Sequence, residues 1–391
     1  MNRRPVLISG MGAICAAGGS LSAILDSFAH NRRNARPVSL FQTPLTCPVF
    51  EAGLETGRAN RTLELARHAV ADAVADAGFK DGFDGLRVGV CMGTTVACQL
   101  NDIGFYAAFR ASQPTPMEPV DRFLSGNLAE AIAADLGARG PRLTVVNACS
   151  SSADAIGVGR SWLCNDLCDV VVAGGADELN RVPLCGFTAL SVMSPELCRP
   201  FDRNRKGLNL GEGAGIVILE TEEAAARRGF RSDLRLAGTG AASDAFHLTA
   251  PRPDGSGLEA AIQRALAEAG IGPGDVAFVN AHGTATREND RIEGGVLARV
   301  FGPGVKALST KGFTGHTLGA AGALEAVFTA AGLREGWIPA SPGFAEKDDE
   351  IPLAPVRERT ATTGRHAVST SLAFGGSNTA LVIEWTGGTH P

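Results

Sequence analysis

One plan is written twice in this 391-residue chain. From Leu63 to Thr95, LELARHAVADAVADAGF reads as an amphipathic helix, a turn follows, and RVGVCMGTT reads as a strand. From Leu258 to Thr286, LEAAIQRALAEAG and VAFVNAHGTAT repeat that order. In the second helix Leu258, Ile262, Ala265, Leu266 and Ala269 recur at helical spacing and make one apolar stripe. Gly78 and Gly270 stand where a helix C-terminal glycine belongs. The repeat predicts two similar α/β halves, joined near Glu220–Arg235, after the strand AGIVILE and the charged helix TEEAAARRG. The halves are placed at 1–230 and 231–391, packed as one body because no low-complexity linker separates them. Short apolar runs such as VVVAGG, IVILE and VAFVN fit sheets covered by helices on both faces. A weaker likeness pairs LTVVNACSSSADAIGVG, read as a buried strand breaking into a turn and helix, with HAVSTSLAFGGSNTALVIEW.

Composition excludes several classes. With 45% hydrophobic and 20% charged residues the chain can build a large core, which argues against disorder. No apolar stretch approaches the roughly 18 residues of a membrane span. A net charge of −5 argues against nucleic acid as the main partner. All 9 cysteines fall before residue 199, and their odd number in a long chain argues against a disulfide framework. The first residues read as a strand entering a glycine turn rather than a signal peptide, so a reduced, cytoplasmic protein is expected.

Three residues stand where chemistry is done. Cys149 follows the strand LTVVN and precedes the helix start Ser150–Ala155. A thiol there faces a helix N-terminus, whose free amides and dipole favour thiolate and can hold an oxyanion. The alternative is an inert buried thiol. His282 ends the strand VAFVNA before Gly283, and His316 opens a small-residue helix. A lone histidine is more often structural or exposed; two placed where a strand or loop meets glycine, in a chain with a candidate nucleophilic cysteine, read as its partners. No third ligand is spaced to complete a metal site with them. Lys311 and Glu325 flank His316 and read either as a solvated pair or as a buried pair that orients the histidine. GEGAG (211–215) runs into a strand rather than a helix and lacks the helix end of a phosphate loop. The chain has neither GxxxxGK[ST] nor GxSxG.

Several segments in order resemble the β-ketoacyl-acyl carrier protein synthases, the condensing enzymes of the thiolase fold. The likeness is densest in NACSSSADAIG, GGADE, RPFDRNRKGLNLGEGAGIVILE, SDAFH, VNAHGTATREND, STKGFTGHTLGAAGALEA and SLAFGGSNTALV. It implies two duplicated αβ halves in a layered αβαβα body. By the same resemblance Cys149 is the acylated nucleophile, His282 and His316 are the catalytic histidines, and Lys311 and Glu325 are their supporting pair. Phe374 is the gating phenylalanine, its amide joining that of Cys149 in the oxyanion hole. Thr284 and Thr286 contact the phosphopantetheine arm. Leu372 and Ala373 replace an aromatic residue and a glycine usual beside the gate, and Gly312-Phe313 replaces a usual Ser-Met; these departures bear on the acyl pocket.

The resemblance implies an elongating acyltransferase that performs a decarboxylative Claisen condensation of malonyl-carrier protein with a Cys-bound acyl chain. It implies no cofactor beyond the phosphopantetheine borne by the acyl carrier protein. The partner carrier is acidic, so a basic docking patch is expected among Arg58, Arg61, Arg199, Arg203, Arg205 and Lys206. The implied assembly is a homodimer, or a heterodimer with a ketosynthase-like chain-length factor. A degradative thiolase would need a second cysteine near the C-terminus, and none follows Cys198. A non-catalytic chain-length factor usually lacks the cysteine present here.

Overall fold

A computed structural model describes residues 4–54, 60–79, 82–97, 100–118, 120–121 and 127–387. In chain order the strands of its main sheet system are β1 (Val6–Cys15), β2 (Val88–Gly93), β3 (Arg142–Val145), β4 (Val170–Asp177), β5 (Gly213–Thr221), β6 (Leu234–Ser243), β7 (Val276–Asn280) and β8 (Ala307–Leu308). A small pair, β9 (Trp337–Ile338) and β10 (Thr360–Ala361), precedes β11 (His366–Leu372) and β12 (Ser377–Trp385).

The strand order β3-β2-β4-β5-β1 continues into β6-β12-β11-β7-β8. Read outward from the β1/β6 seam, the two sets are the same. Each runs antiparallel, antiparallel, parallel, parallel. At the seam Leu7 pairs with Arg235. The duplication seen in the helix–strand repeats therefore extends to the whole sheet plan. It makes β11 the counterpart of β4, and β3 the counterpart of β8, so the weaker pairing of the segments around Cys149 and Phe374 is not part of the duplication.

Layering follows from which faces are apolar. Helix Ala321–Glu335 is buried from Ala321 through Leu333 and has no polar face, the pattern of a helix enclosed on all sides. It and helix Ser151–Cys164 share one core with residues of both sheets, including Val171, Leu219, Phe278 and Leu381. The outer faces are covered by the two repeat helices. Arg61–Asp76 packs Leu65, Ala69 and Ala73 on the first sheet. Ser256–Ala269 packs Leu258, Ile262 and Leu266 on the second. The layers run helix, sheet, helix, sheet, helix, the αβαβα arrangement.

Two glycine readings are explained by geometry. Gly78 and Gly270 end the repeat helices with φ of +75° and +72°, a conformation that favours glycine. A Cβ at Gly215 would lie 2.5 Å from Leu324 N, so the GEGAG run is glycine-rich to let β5 approach the central helix. One expectation fails: β3 is an edge strand, with Leu143 42% and nearby Val146 68% exposed, not a buried one. Among the described residues no helix is long and apolar enough to cross a membrane.

Candidate active site

The turn that carries Cys149 is strained and braced. Ala148 adopts φ +46°, and a short 3₁₀ turn, Ala148–Ser150, feeds helix Ser151–Cys164. Asp154 on that helix accepts hydrogen bonds from Asn147 Nδ2 at 2.6 Å, Ser150 Oγ at 2.8 Å and Thr379 Oγ1. Ser152 Oγ accepts from the Ala323 amide at 2.8 Å and ties this helix to the second central helix. The strain is thus held by side chains from both halves of the fold, as expected for a positioned nucleophile.

The fold brings Cys149, His282 and His316 together. The sulfur and one ring nitrogen from each histidine all lie within 4.8 Å of one another, and all three residues are buried. The imidazoles meet edge to face, with centroids 5.2 Å apart. His282 follows β7, and its loop is pinned by Glu293, which accepts from the His282 and Gly283 amides at 2.8 Å each. His316 is fixed by backbone bonds to Asn209 and Gly211.

Hydrogen bonding assigns both tautomers. Lys311 Nζ lies 3.0 Å from His282 Nδ1 and also donates to His282 O at 2.6 Å and to Glu325. An ammonium has no acceptor, so Nδ1 must accept and the ring proton sits on Nε2. The Leu318 amide donates to His316 Nδ1 at 3.2 Å, which places that ring proton on Nε2 as well. Burial and the Lys311 charge hold both imidazoles well below the usual histidine range, so they stay neutral. Two neutral N–H donors therefore flank one sulfur.

Lys311 and Glu325 form the buried pair, and the solvated alternative is excluded. Burial raises the Glu325 carboxyl to about 7 despite the lysine, and its Oε2 has no hydrogen-bond partner among the described residues. The thiol departs from the thiolate reading. Burial lifts Cys149 to about 11, while Lys311 and the Phe374 amide, which donates to the sulfur, pull it down. Desolvation outweighs both, so the resting group is a thiol that ionises as it reacts.

A cavity of about 560 Å³ opens onto the sulfur and both histidines. Thr284 and Thr286 line it, their hydroxyls 2.9 Å apart. Phe374 lines it too and stacks on Phe187, with centroids 5.4 Å apart. Sequence reasoning missed Phe187, Asp154, Asp177 and Glu293. Asp177 caps the turn after β2 by accepting from the Thr95, Val96 and Gly319 amides. Burial raises its carboxyl to about 6. The only sequence signal for Glu293 was its place one turn beyond Asp290 in the helix after HGTAT.

The fold also brings together three ligands that sequence spacing did not. Cys149, His282 and His316 could hold a metal ion by distance. The Lys311 ammonium beside His282 opposes a dication there.

The docking cluster does not hold together. Arg61 is buried and bidentate to Glu212, at 2.8 Å and 2.5 Å. Arg205 is buried on Asp348 at 2.5 Å. Neither offers charge to a surface partner, because each fills the core beside a carboxylate that would otherwise be unpaired. Arg203 is exposed but paired with Glu346 and Asp349. Arg199 is half-buried, Lys206 is exposed near Glu196, and Arg58 lies outside the described residues.

Two family models match: "Beta-ketoacyl synthase, N-terminal domain" over residues 49–225 and "Beta-ketoacyl synthase, C-terminal domain" over residues 235–345. The chain belongs to the β-ketoacyl synthase family. It is 37% identical over 339 residues to 3-oxoacyl-[acyl-carrier-protein] synthase 2 of Rhizobium meliloti (strain 1021), covering 81% of this chain and 79% of that protein. It is 33% identical over 414 residues to Nodulation protein E of Rhizobium meliloti, covering 98% and 100%. Among solved structures, "The ishigamide ketosynthase/chain length factor" superposes with a TM-score of 0.92 at 30% identity, covering 98% of this chain and 100% of that one. The β-ketoacyl synthase fold is thus shared along nearly the whole chain, and the chain is a condensing enzyme of the acyltransferase type.

Proposed function

We propose that this β-ketoacyl synthase extends acyl chains delivered on acyl carrier protein, with Cys149, His282 and His316 as its reacting groups. One observation carries the reading: a buried sulfur facing two imidazoles whose Nδ1 atoms are both engaged, so that both Nε2–H groups are free to donate.

In the first half-reaction the Cys149 thiol gives up its proton as its sulfur adds to the carbonyl of the incoming thioester. The oxyanion is held by the amides of Cys149 and Phe374, and the carrier's thiol leaves with the proton. In the second, a malonyl thioester enters along Thr284 and Thr286 and loses carbon dioxide. The electron pair left behind becomes an enolate, whose oxygen accepts from His282 Nε2–H and His316 Nε2–H. Its carbon then attacks the Cys149 thioester, a carbon–carbon bond forms, and the Cys149 thiolate leaves. Neutral donors suit this step, because a charged imidazolium would also stabilise the malonyl carboxylate that must depart. The substrate's phosphopantetheine supplies the only non-protein arm, and no resident cofactor takes part.

Mass spectrometry of carrier protein after incubation with malonyl-carrier and a panel of acyl-carriers tests the reading. Carrier bearing the acyl chain lengthened by two carbons as a β-keto thioester is expected. Carrier recovered with its acyl chain unextended across the panel contradicts it.

A heterodimer with a chain-length-factor subunit is the second reading. It is favoured by the likeness to the ishigamide pair, whereas the exposed apolar residues Leu143 and Val146 around edge strand β3 suit either dimer. Light scattering of the purified chain distinguishes the two assemblies: a stable dimer of the chain alone favours the homodimer, and a monomer favours the mixed pair.

A further inference from the structure

Five charged side chains line the cavity: Arg205, Lys206, Asp244, Arg287 and Glu288. Most are already committed. Arg205 is buried on Asp348. Asp244 is buried and accepts from the Arg252 amide at 2.9 Å and from Asn378 Nδ2 at 2.8 Å. Glu288 holds Arg291 at 2.7 Å. Lys206 is 59% exposed on its side chain and reaches Glu196 only at 3.4 Å. Arg287 is exposed and forms no ion pair among the described residues.

Arg287 is nevertheless anchored. Its carbonyl accepts from Arg205 Nη2 at 2.9 Å, and it follows Thr286 on the cavity lining. A held backbone thus presents an exposed guanidinium at the cavity, while the less exposed Phe187, Leu372 and Phe374 give the lining an apolar part, with Phe187 beside His316. A ligand that is anionic at its outer end and apolar at its inner end fits that gradient. Guanidinium groups recognise phosphate oxygens in pairs, whereas Lys206 adds a point charge of the same sign.

We propose that Arg287, assisted by Lys206, binds the phosphodiester of the incoming phosphopantetheine arm. The proposal rests on the ketosynthase reading above and adds which group of the arm the rim holds. The test measures acylation of Cys149 by intact mass, with acyl-phosphopantetheine and phosphate-free acyl-pantetheine as probes. In Arg287→Ala the preference for the phosphorylated probe is expected to fall about five-fold, the scale of one exposed charge pair. In Arg287→Lys most of the preference should remain. Added salt should shrink the preference of the unmodified protein more than that of Arg287→Ala. An unchanged preference in Arg287→Ala, or an equal loss on both probes, overturns the proposal. If the unmodified protein takes an acyl group from acyl-carrier protein but from neither probe, this proposal alone is overturned; if it takes one from none of the three, the ketosynthase reading fails, and this proposal with it.

Discussion

Removing the Lys311 charge separates stability from chemistry at this site. Lys311→Met keeps an unbranched side chain only one atom shorter and deletes three donations: to His282 Nδ1, to His282 O and to Glu325. The first loss is structural. Glu325 is 2% exposed, and breaking a buried pair from one side costs about 3–5 kcal/mol. With about 2.1 cal/mol/K of unfolding entropy per residue over 391 residues, that lowers Tm by about 4 to 6 °C. The second loss is catalytic. Without the ammonium, His282 Nδ1 has no donor, and its ring proton is no longer confined to Nε2. Losing one such donor to a developing oxyanion costs about 10²–10³ in kcat. Carbon dioxide release from malonyl-carrier, followed with isotopic label, reads the catalytic effect directly. The double variant Lys311→Met with Glu325→Leu removes the stranded carboxyl and should recover most of the lost Tm without recovering decarboxylation. Decarboxylation at the unmodified rate in the single variant refutes the tautomer argument. Recovery of both properties in the double variant would show that the lysine acts only through Glu325.

Alkylation of Cys149 by iodoacetamide should rise with a midpoint near about 11, the value to which burial lifts the thiol, and Lys311→Met should push it higher still. Because the unfolded thiol ionises near 9, the same shift makes stability fall as pH climbs from about 9 to about 11, which denaturant titrations at fixed pH will read. A midpoint near neutrality would mean that the helix terminus, not desolvation, sets this thiol. Arg61→Ala strands Glu212 in the core, so it should cost about 3–5 kcal/mol of stability and leave the KM for carrier substrate unchanged in the protein that stays folded. A raised KM at unchanged Tm would return Arg61 to the docking surface.

The sequence made the site legible wherever one local signal sufficed. Glycine turns, a thiol at a strand-to-helix turn and histidines beside glycines are short-range signals, and the fold brings Cys149, His282 and His316 together. The duplicated helix–strand unit announced two halves, because its apolar stripe needs only a window of one helix to be seen. What escaped depends on distant partners. Arg61 reads as surface charge until Glu212, 151 residues away, is placed beside it, and Arg205 until Asp348, 143 residues away, is. β3 has the apolar composition of a covered strand, yet its place at the sheet edge leaves Leu143 and Val146 open, and sheet order is not a local property. The thiol's rise was missed for a related reason: a helix N-terminus can be read from neighbours in sequence, whereas desolvation is set by the whole enclosing core.

The most direct test follows the acyl group itself. The protein is incubated with acyl-carrier, digested and mapped, then chased with malonyl-carrier. The acyl mass should appear on the peptide containing Cys149 and vanish on the chase as extended β-ketoacyl-carrier accumulates. Acylation of another residue, or extension that proceeds with Cys149→Ala, would contradict the central role given to this sulfur.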